Sequence, residues 1–164
     1  MPNVPVEVKS ALEVFAGYVM LDAWVANQDR HHENWGAIRD NESMRLAPTF
    51  DHGAALARNL LDSEREERLT TKDTNRAVSA FVLKGRSAFY GSADQARSLE
   101  LKTAFLAFAE RVPSAANAWI ERLRRVDSNS VWGILERVPN SRMSVICKQF
   151  TMELLQTNQK RLLE

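Results

Sequence analysis

Asn27-Gln28-Asp29-Arg30-His31-His32-Glu33-Asn34, followed by Asp51-His52-Gly53, is the part of this 164-residue chain that decides its reading. On its N-terminal side, residues 6–25 follow helical periodicity behind Pro5, which suits a first helical turn. Val8, Leu12, Phe15 and Val19 form one stripe, and Ala11, Tyr18, Leu21 and Val25 fill much of the rest. A helix apolar on most sides is expected to run through the middle of its domain. It delivers the polar string to one edge, a rigid mount for chemistry. On the C-terminal side, residues 35–38 and 45–50 are compatible with strands, and residues 39–43 between them are rich in turn formers. The expected β-hairpin brings residues near 51 back beside residues near 34.

That proximity gives the string a chemical sense. Phosphoryl transfer from ATP needs a carboxylate to orient the attacking hydroxyl, oxygen ligands for magnesium, and positive charge for the phosphates. Asp29 stands at the end of the helix as a base. Asn34, five residues on, offers a neutral oxygen to Mg²⁺ from the far side of the loop. Asp51 supplies the anionic oxygen that a hard cation prefers. Gly53 is expected to permit a sharp turn out of the site. Taken singly, Asp29 and Asn34 read as helix-stop residues and Asp51 as the start of a turn. Their order and spacing around a hairpin favour the joint reading. His31 and His32 make a poor zinc pair, because neighbouring loop residues point apart and no third nitrogen or sulfur ligand sits at useful spacing.

Asp29-Arg30-His31-x-x-Asn34, a short hairpin and then Asp51-x-Gly53 resemble the loops of the atypical serine/threonine kinases of the HipA-like toxin group. The phosphoinositide kinases have a very similar Asp-Arg-His-x-x-Asn loop. Ordinary protein kinases carry His-Arg-Asp with Asn five residues after the Asp, and later Asp-Phe-Gly. Arg45-Leu46-Ala47-Pro48-Thr49-Phe50-Asp51 resembles the HipA-like approach to the metal-binding aspartate. Phe150, Leu154, Leu155, Asn158 and Arg161 match the C-terminal helix more loosely.

The resemblance implies a mainly α fold, a protein-kinase-like C-terminal lobe with one β-hairpin carrying the catalytic and metal-binding loops. It implies Asp29 as catalytic base, with Arg30 and His31 buttressing the loop or approaching the phosphates. Asn34 and Asp51 become the Mg²⁺ ligands at the cofactor site, with ATP as substrate. The γ-phosphate would pass to a protein Ser or Thr hydroxyl, and an antitoxin-type protein partner is implied by the same analogy.

The remainder of the chain bounds this reading. Lys and Arg total 22 against 21 Asp and Glu, a net charge of +1, which gives no field for collecting nucleic acid or an anionic membrane. Cys147 is the only cysteine, which suits a reducing cytosol, and it is expected to be a small buried hydrophobe. The apolar stretch 14–26 lacks a basic start, is interrupted by Asp22, and is too short to span a bilayer. The expectation is a soluble cytoplasmic protein. None of the six glycines falls at a phosphate-binding spacing, and only Lys9 precedes the catalytic loop as a lysine. Residues 1–164 are therefore read as a single HipA-like C-lobe without its ATP-covering N-lobe. Either a separate N-lobe completes it, or it is an inactive remnant that serves as a protein-binding module.

Residues 61–75 read as an exposed, mobile segment with room for one helical turn. Thr70 and Thr71 lie there, where an activation segment would accept phosphate. Residues 85–94 form a second loop. Beyond it, Leu101, Ala104, Phe105, Phe108 and Val112 make one helical stripe, and Ala116, Trp119, Ile120 and Leu123 the next. Val131, Ile134, Leu135 and Val138 suggest a short helix. Asn140 or Ser141 is expected to cap a last long one carrying Met143, Ile146, Phe150 and Leu154 inward.

Overall fold

A computed structural model of the chain describes residues 4–164. Seven helices and one hairpin occur among them: α1 Ala11–Val25, β1 Ala37–Arg39, β2 Met44–Leu46, α2 Asp62–Thr70, α3 Val78–Val82, α4 Leu101–Ala109, α5 Pro113–Arg124, α6 Ser128–Glu136 and α7 Val145–Leu163. The mainly helical fold with one antiparallel hairpin is the one expected from the sequence.

Helix α1 lies at the centre, packed against α4, α5, α7 and β2. It starts five residues later than the apolar pattern suggests. Ser10 is its N-cap, and Glu13 completes a capping box by accepting the Ser10 N–H. Pro5 instead opens a turn, with the Val8 N–H donating to its carbonyl. Leu12 stays on the surface, while Phe15 and Val19 are buried. Gly17 lets α5 approach closely, because a Cβ there would lie 2.5 Å from Trp119 Cε2. The Trp119 indole in turn donates to the Glu13 carbonyl at 2.9 Å. Helix α7 crosses α1 with Phe150 and Leu154 fully enclosed. Two bonds fix this crossing: Trp24 Nε1 to the Leu155 carbonyl and Asn158 Nδ2 to the Trp24 carbonyl.

The hairpin is shorter than expected. Ala37 pairs with Leu46, Ile38 with Arg45 and Arg39 with Met44. Beyond the Ala47 N–H, which still donates to the Gly36 carbonyl at 2.8 Å, the chain leaves the ladder because its backbone is used otherwise. The Ala47 carbonyl accepts the Tyr18 hydroxyl at 2.8 Å, Pro48 has no N–H to give, and the Phe50 carbonyl accepts from Arg30.

Two other expectations are corrected. Residues 61–75 contain the nine-residue helix α2, which packs on α7. Glu64 accepts the Leu61 N–H at its start, and Arg65 turns inward to reach Asp62 and the carbonyls of Ala57 and Arg58. An inward arginine is invisible to apolar periodicity. The last helix is capped by Ser144, not by Asn140 or Ser141, so Met143 precedes it. In α6, Leu135 is buried and Ile134 is exposed. No helix among the described residues is long and apolar enough to cross a membrane.

Candidate functional site

The polar string begins where α1 ends. Ala26 adopts a left-handed conformation, φ 54°, and turns the chain out of the helix. Asn27 and Arg30 then fold back onto Asp22, the one acid buried within α1. Arg30 Nε and Nη2 reach the two Asp22 carboxylate oxygens at 2.7 and 2.8 Å, and Asn27 Nδ2 donates to Asp22 Oδ1 at 2.8 Å. Arg30 is 2 % exposed. Such a bidentate, desolvated pair is rigid, and it places the loop relative to the helix. Gln28 adds a tether on the outer side, its side-chain oxygen accepting the Arg86 N–H.

Arg30 has a further function in the geometry. Its Nη1 donates to the Asn34 carbonyl at 2.8 Å and to the Phe50 carbonyl at 3.3 Å. One nitrogen thus binds the end of the first loop to the residue before Asp51. The juxtaposition expected from the hairpin is present, and Arg30 is what fastens it. The three nitrogens of this guanidinium all lie against protein groups. Its plane also lies 5.9 Å from the Tyr18 ring centre. Burial pushes the Tyr18 phenol up from its ordinary value, against opposing effects of Arg30 and the Thr49 backbone. A phenol held neutral keeps the proton it donates to Ala47.

On the open side of this clamp, Asn34 Nδ2 donates to the Asp29 carbonyl at 2.6 Å and lies 3.4 Å from Asp29 Oδ2. Those acceptors fix which end of the amide is nitrogen. The Asn34 Oδ1 accepts no hydrogen bond among the described residues and remains a free oxygen donor. His31 Nδ1 accepts the Glu33 N–H at 3.2 Å, and its Nε2 lies 3.5 Å from Asp29 Oδ1 and 3.4 Å from Asn34 Nδ2. Asp29 and His31 are both partly open to solvent, and His32 is exposed, its ring centre 5.9 Å from that of His31. Asp51 is exposed and makes no direct bond to Asp29 or Asn34 among the described residues. The turn expected at Gly53 is made by Asp51 itself, whose φ is 50°, and the Gly53 N–H points back to its carboxylate at 3.4 Å. His52 bridges the two halves, with Nδ1 3.5 Å from Arg30 Nη2 and Nε2 3.2 Å from Thr49 Oγ1.

The oxygen set of Asn34 and Asp51 matches a hard divalent cation in kind. No group of three or more His, Cys, Asp or Glu converges among the described residues. The Thr70 hydroxyl donates to the Glu66 carbonyl, and the Thr71 hydroxyl accepts the Asp73 N–H. Cys147 is half-buried in the first turn of α7. Asp22 was missed as a site residue from the sequence. Its signal was a single carboxylate in an otherwise apolar helix, which when buried requires a partner, and Arg30 is the nearest cation after it.

No protein-family model matches the sequence, and no curated protein matches it. Among solved structures, the crystal structure of CtkA, a Helicobacter pylori proinflammatory kinase, is similar with a TM-score of 0.73 at 23% identity. The similarity covers 93% of this chain and 50% of the CtkA chain, so the chain spans about half the length of that neighbour. A two-stranded antiparallel sheet on a helical body, superposable on half of a kinase, is a kinase-like C-terminal-lobe fold.

Proposed function

We propose that this chain is the C-terminal lobe of a HipA-like kinase and transfers the γ-phosphate of ATP to a protein Ser or Thr hydroxyl when an N-lobe covers the nucleotide. The observation that carries the reading is the Arg30 clamp. It holds the Asp29–Asn34 loop and the approach to Asp51 on one nitrogen, joining the elements that phosphoryl transfer requires.

In this reading the attacking hydroxyl is oriented by the Asp29 carboxylate, which takes its proton as the bond to phosphorus forms. His31, with Nε2 3.5 Å from Asp29 Oδ1, steadies that carboxylate. Asn34 and Asp51 would hold Mg²⁺, which when bound neutralises charge on the nucleotide phosphates. Arg30 is a positioning residue, acting through the loop it fixes. An apolar depression of about 400 Å³, lined by Leu12, Phe15, Trp35, Leu46, Phe89 and Phe108, lies beside the hairpin and suits a covering protein surface. A separate N-lobe or an antitoxin-type partner fits that chemistry.

The test is phosphate transfer by the chain combined with a β-rich N-lobe. Asp51→Ala is expected to abolish metal-dependent turnover. Asp29→Asn is expected to slow transfer at least ~100-fold while sparing nucleotide binding, and His32→Ala to do little. An inactive wild-type pair, or full activity in both aspartate variants, sinks the catalytic reading. The binding-module alternative then takes its place.

A further inference from the structure

Away from the Asp29 loop, a cavity of about 460 Å³ opens where the segment after Gly53, helix α2 and the start of α7 meet. Its charge is unbalanced. Arg58, Arg65 and Arg142 line it against the single carboxylate of Asp62. That carboxylate is already engaged: the Ser144 hydroxyl beside it and then Arg65, whose Nη1 lies at 2.7 Å, hold it below its ordinary value. Arg58 and Arg142 have no carboxylate partner among the described residues. The 19-residue helix α7 begins at the same wall, so its positive end adds to the field.

A second observation is independent of these charges. Arg65 is 6 % exposed, yet its Nε–H has no acceptor among the described residues. The hydroxyl of Thr151, wholly buried behind the same cavity, also has no partner. Buried donors without acceptors are costly and uncommon, and these two lie within the wall of the cavity.

We propose that this cavity binds a phosphate-class dianion, a tetrahedral oxyanion either free or carried as a phosphomonoester on a peptide side chain. The two guanidinium groups left without a carboxylate, on Arg58 and Arg142, match several oxygens spread over a tetrahedron better than one planar carboxylate. Leu56, Val138 and Met143 supply apolar lining for a carbon stem. Arg58 itself backs the Asp51 turn, since a Cβ built on Gly53 would lie 4.0 Å from its Nη1. Nothing in the proposal requires the kinase reading.

Calorimetric titration of the whole chain, without nucleotide or metal, tests it. The probes are inorganic phosphate, a short glycine-alanine peptide centred on phosphoserine, and the same peptide unphosphorylated. Binding of either phosphate probe, weakened by salt and absent for the plain peptide, is the expected result. Arg142→Gln, at an exposed position, should weaken it roughly tenfold with the melting temperature unchanged. Arg97→Gln, outside the cavity, controls for net charge. A phosphopeptide that binds more tightly than inorganic phosphate identifies a peptide-borne group, and equal affinity identifies the free anion. Failure of both phosphate probes at millimolar concentration overturns the proposal. So does binding indifferent to both Arg142→Gln and Arg58→Gln.

Discussion

Replacing Arg30 by methionine removes the clamp while keeping a side chain of similar length. The substitution leaves the Asp22 carboxylate, 2 % exposed in the last turn of α1, without its cation, and it strips the donor from the Asn34 and Phe50 carbonyls. Breaking a buried ion pair from one side costs ~3–5 kcal/mol. The orphaned carbonyls add to this only where water does not reach them. A loss of ~4 kcal/mol is a large part of the ~5–15 kcal/mol that holds a domain together. At ~2–4 °C per kcal/mol for a chain of this size, the melting temperature should fall by roughly 10 °C. Thermal melts by far-ultraviolet circular dichroism give this number, and amide hydrogen exchange locates it. Faster exchange should appear in both the Asp29–Asn34 loop and the Asp51 turn, because one nitrogen tethers them. The double variant Asp22→Asn with Arg30→Met should cost less than the two single changes added, since it buries no unpaired charge. Melting of Arg30→Met within about 2 °C of wild type, with both loops still protected, would refute the reasoning.

Three further outcomes are expected. Gly17→Ala should destabilise by ~1–3 kcal/mol in urea titrations, because its methyl would sit 2.5 Å from the Trp119 ring and displace the indole from Glu13. Ala57→Gly should raise stability by up to ~1 kcal/mol, since Ala57 has φ 50° and a left-handed backbone costs a Cβ residue that much. Glu13 accepts the Lys9 and Ser10 N–H groups, and these bonds lower its pKa from the ordinary 4.5. Its contribution is therefore fully present above pH 4.5 and is lost as the pH falls through the lower folded value. Melts of wild type and Glu13→Gln across this range should differ at neutral pH and converge in acid.

What the sequence disclosed, it disclosed through pattern. The apolar surround of α1, the turn formers between two short strands, and the spacing of Asp29, Asn34 and Asp51 sufficed for the fold class and for the meeting of the two loops. The start of α1 was also legible, since Ser10-x-x-Glu13 is a capping box, but the apolar residues before it drew the helix too far back. Helix α2 was not legible. Its inward residue is Arg65, held through its two terminal nitrogens by Asp62 and by carbonyls of the preceding loop, and no pattern of apolar residues announces such an arrangement. The extended run after β2 failed for a related reason, because tertiary partners took the carbonyls of Ala47 and Phe50 that a ladder would have used.

Gly53 shows where spacing arguments stop. A glycine after a candidate metal ligand permits a left-handed turn without requiring one, and here the left-handed residue is Asp51. Aspartate tolerates that conformation because its short carboxylate can bond nearby backbone, as it does toward the Gly53 N–H at 3.4 Å. The residue suited to hold a cation thus also sets the path of the chain beyond it. On its other side the Phe50 carbonyl is held by Arg30, and Arg30 is held by Asp22. Asp51 is therefore placed from within α1, through a buried ion pair. A change at Asp22 should reach the Asp51 turn before it reaches the hairpin, whose own ladder does not depend on that pair.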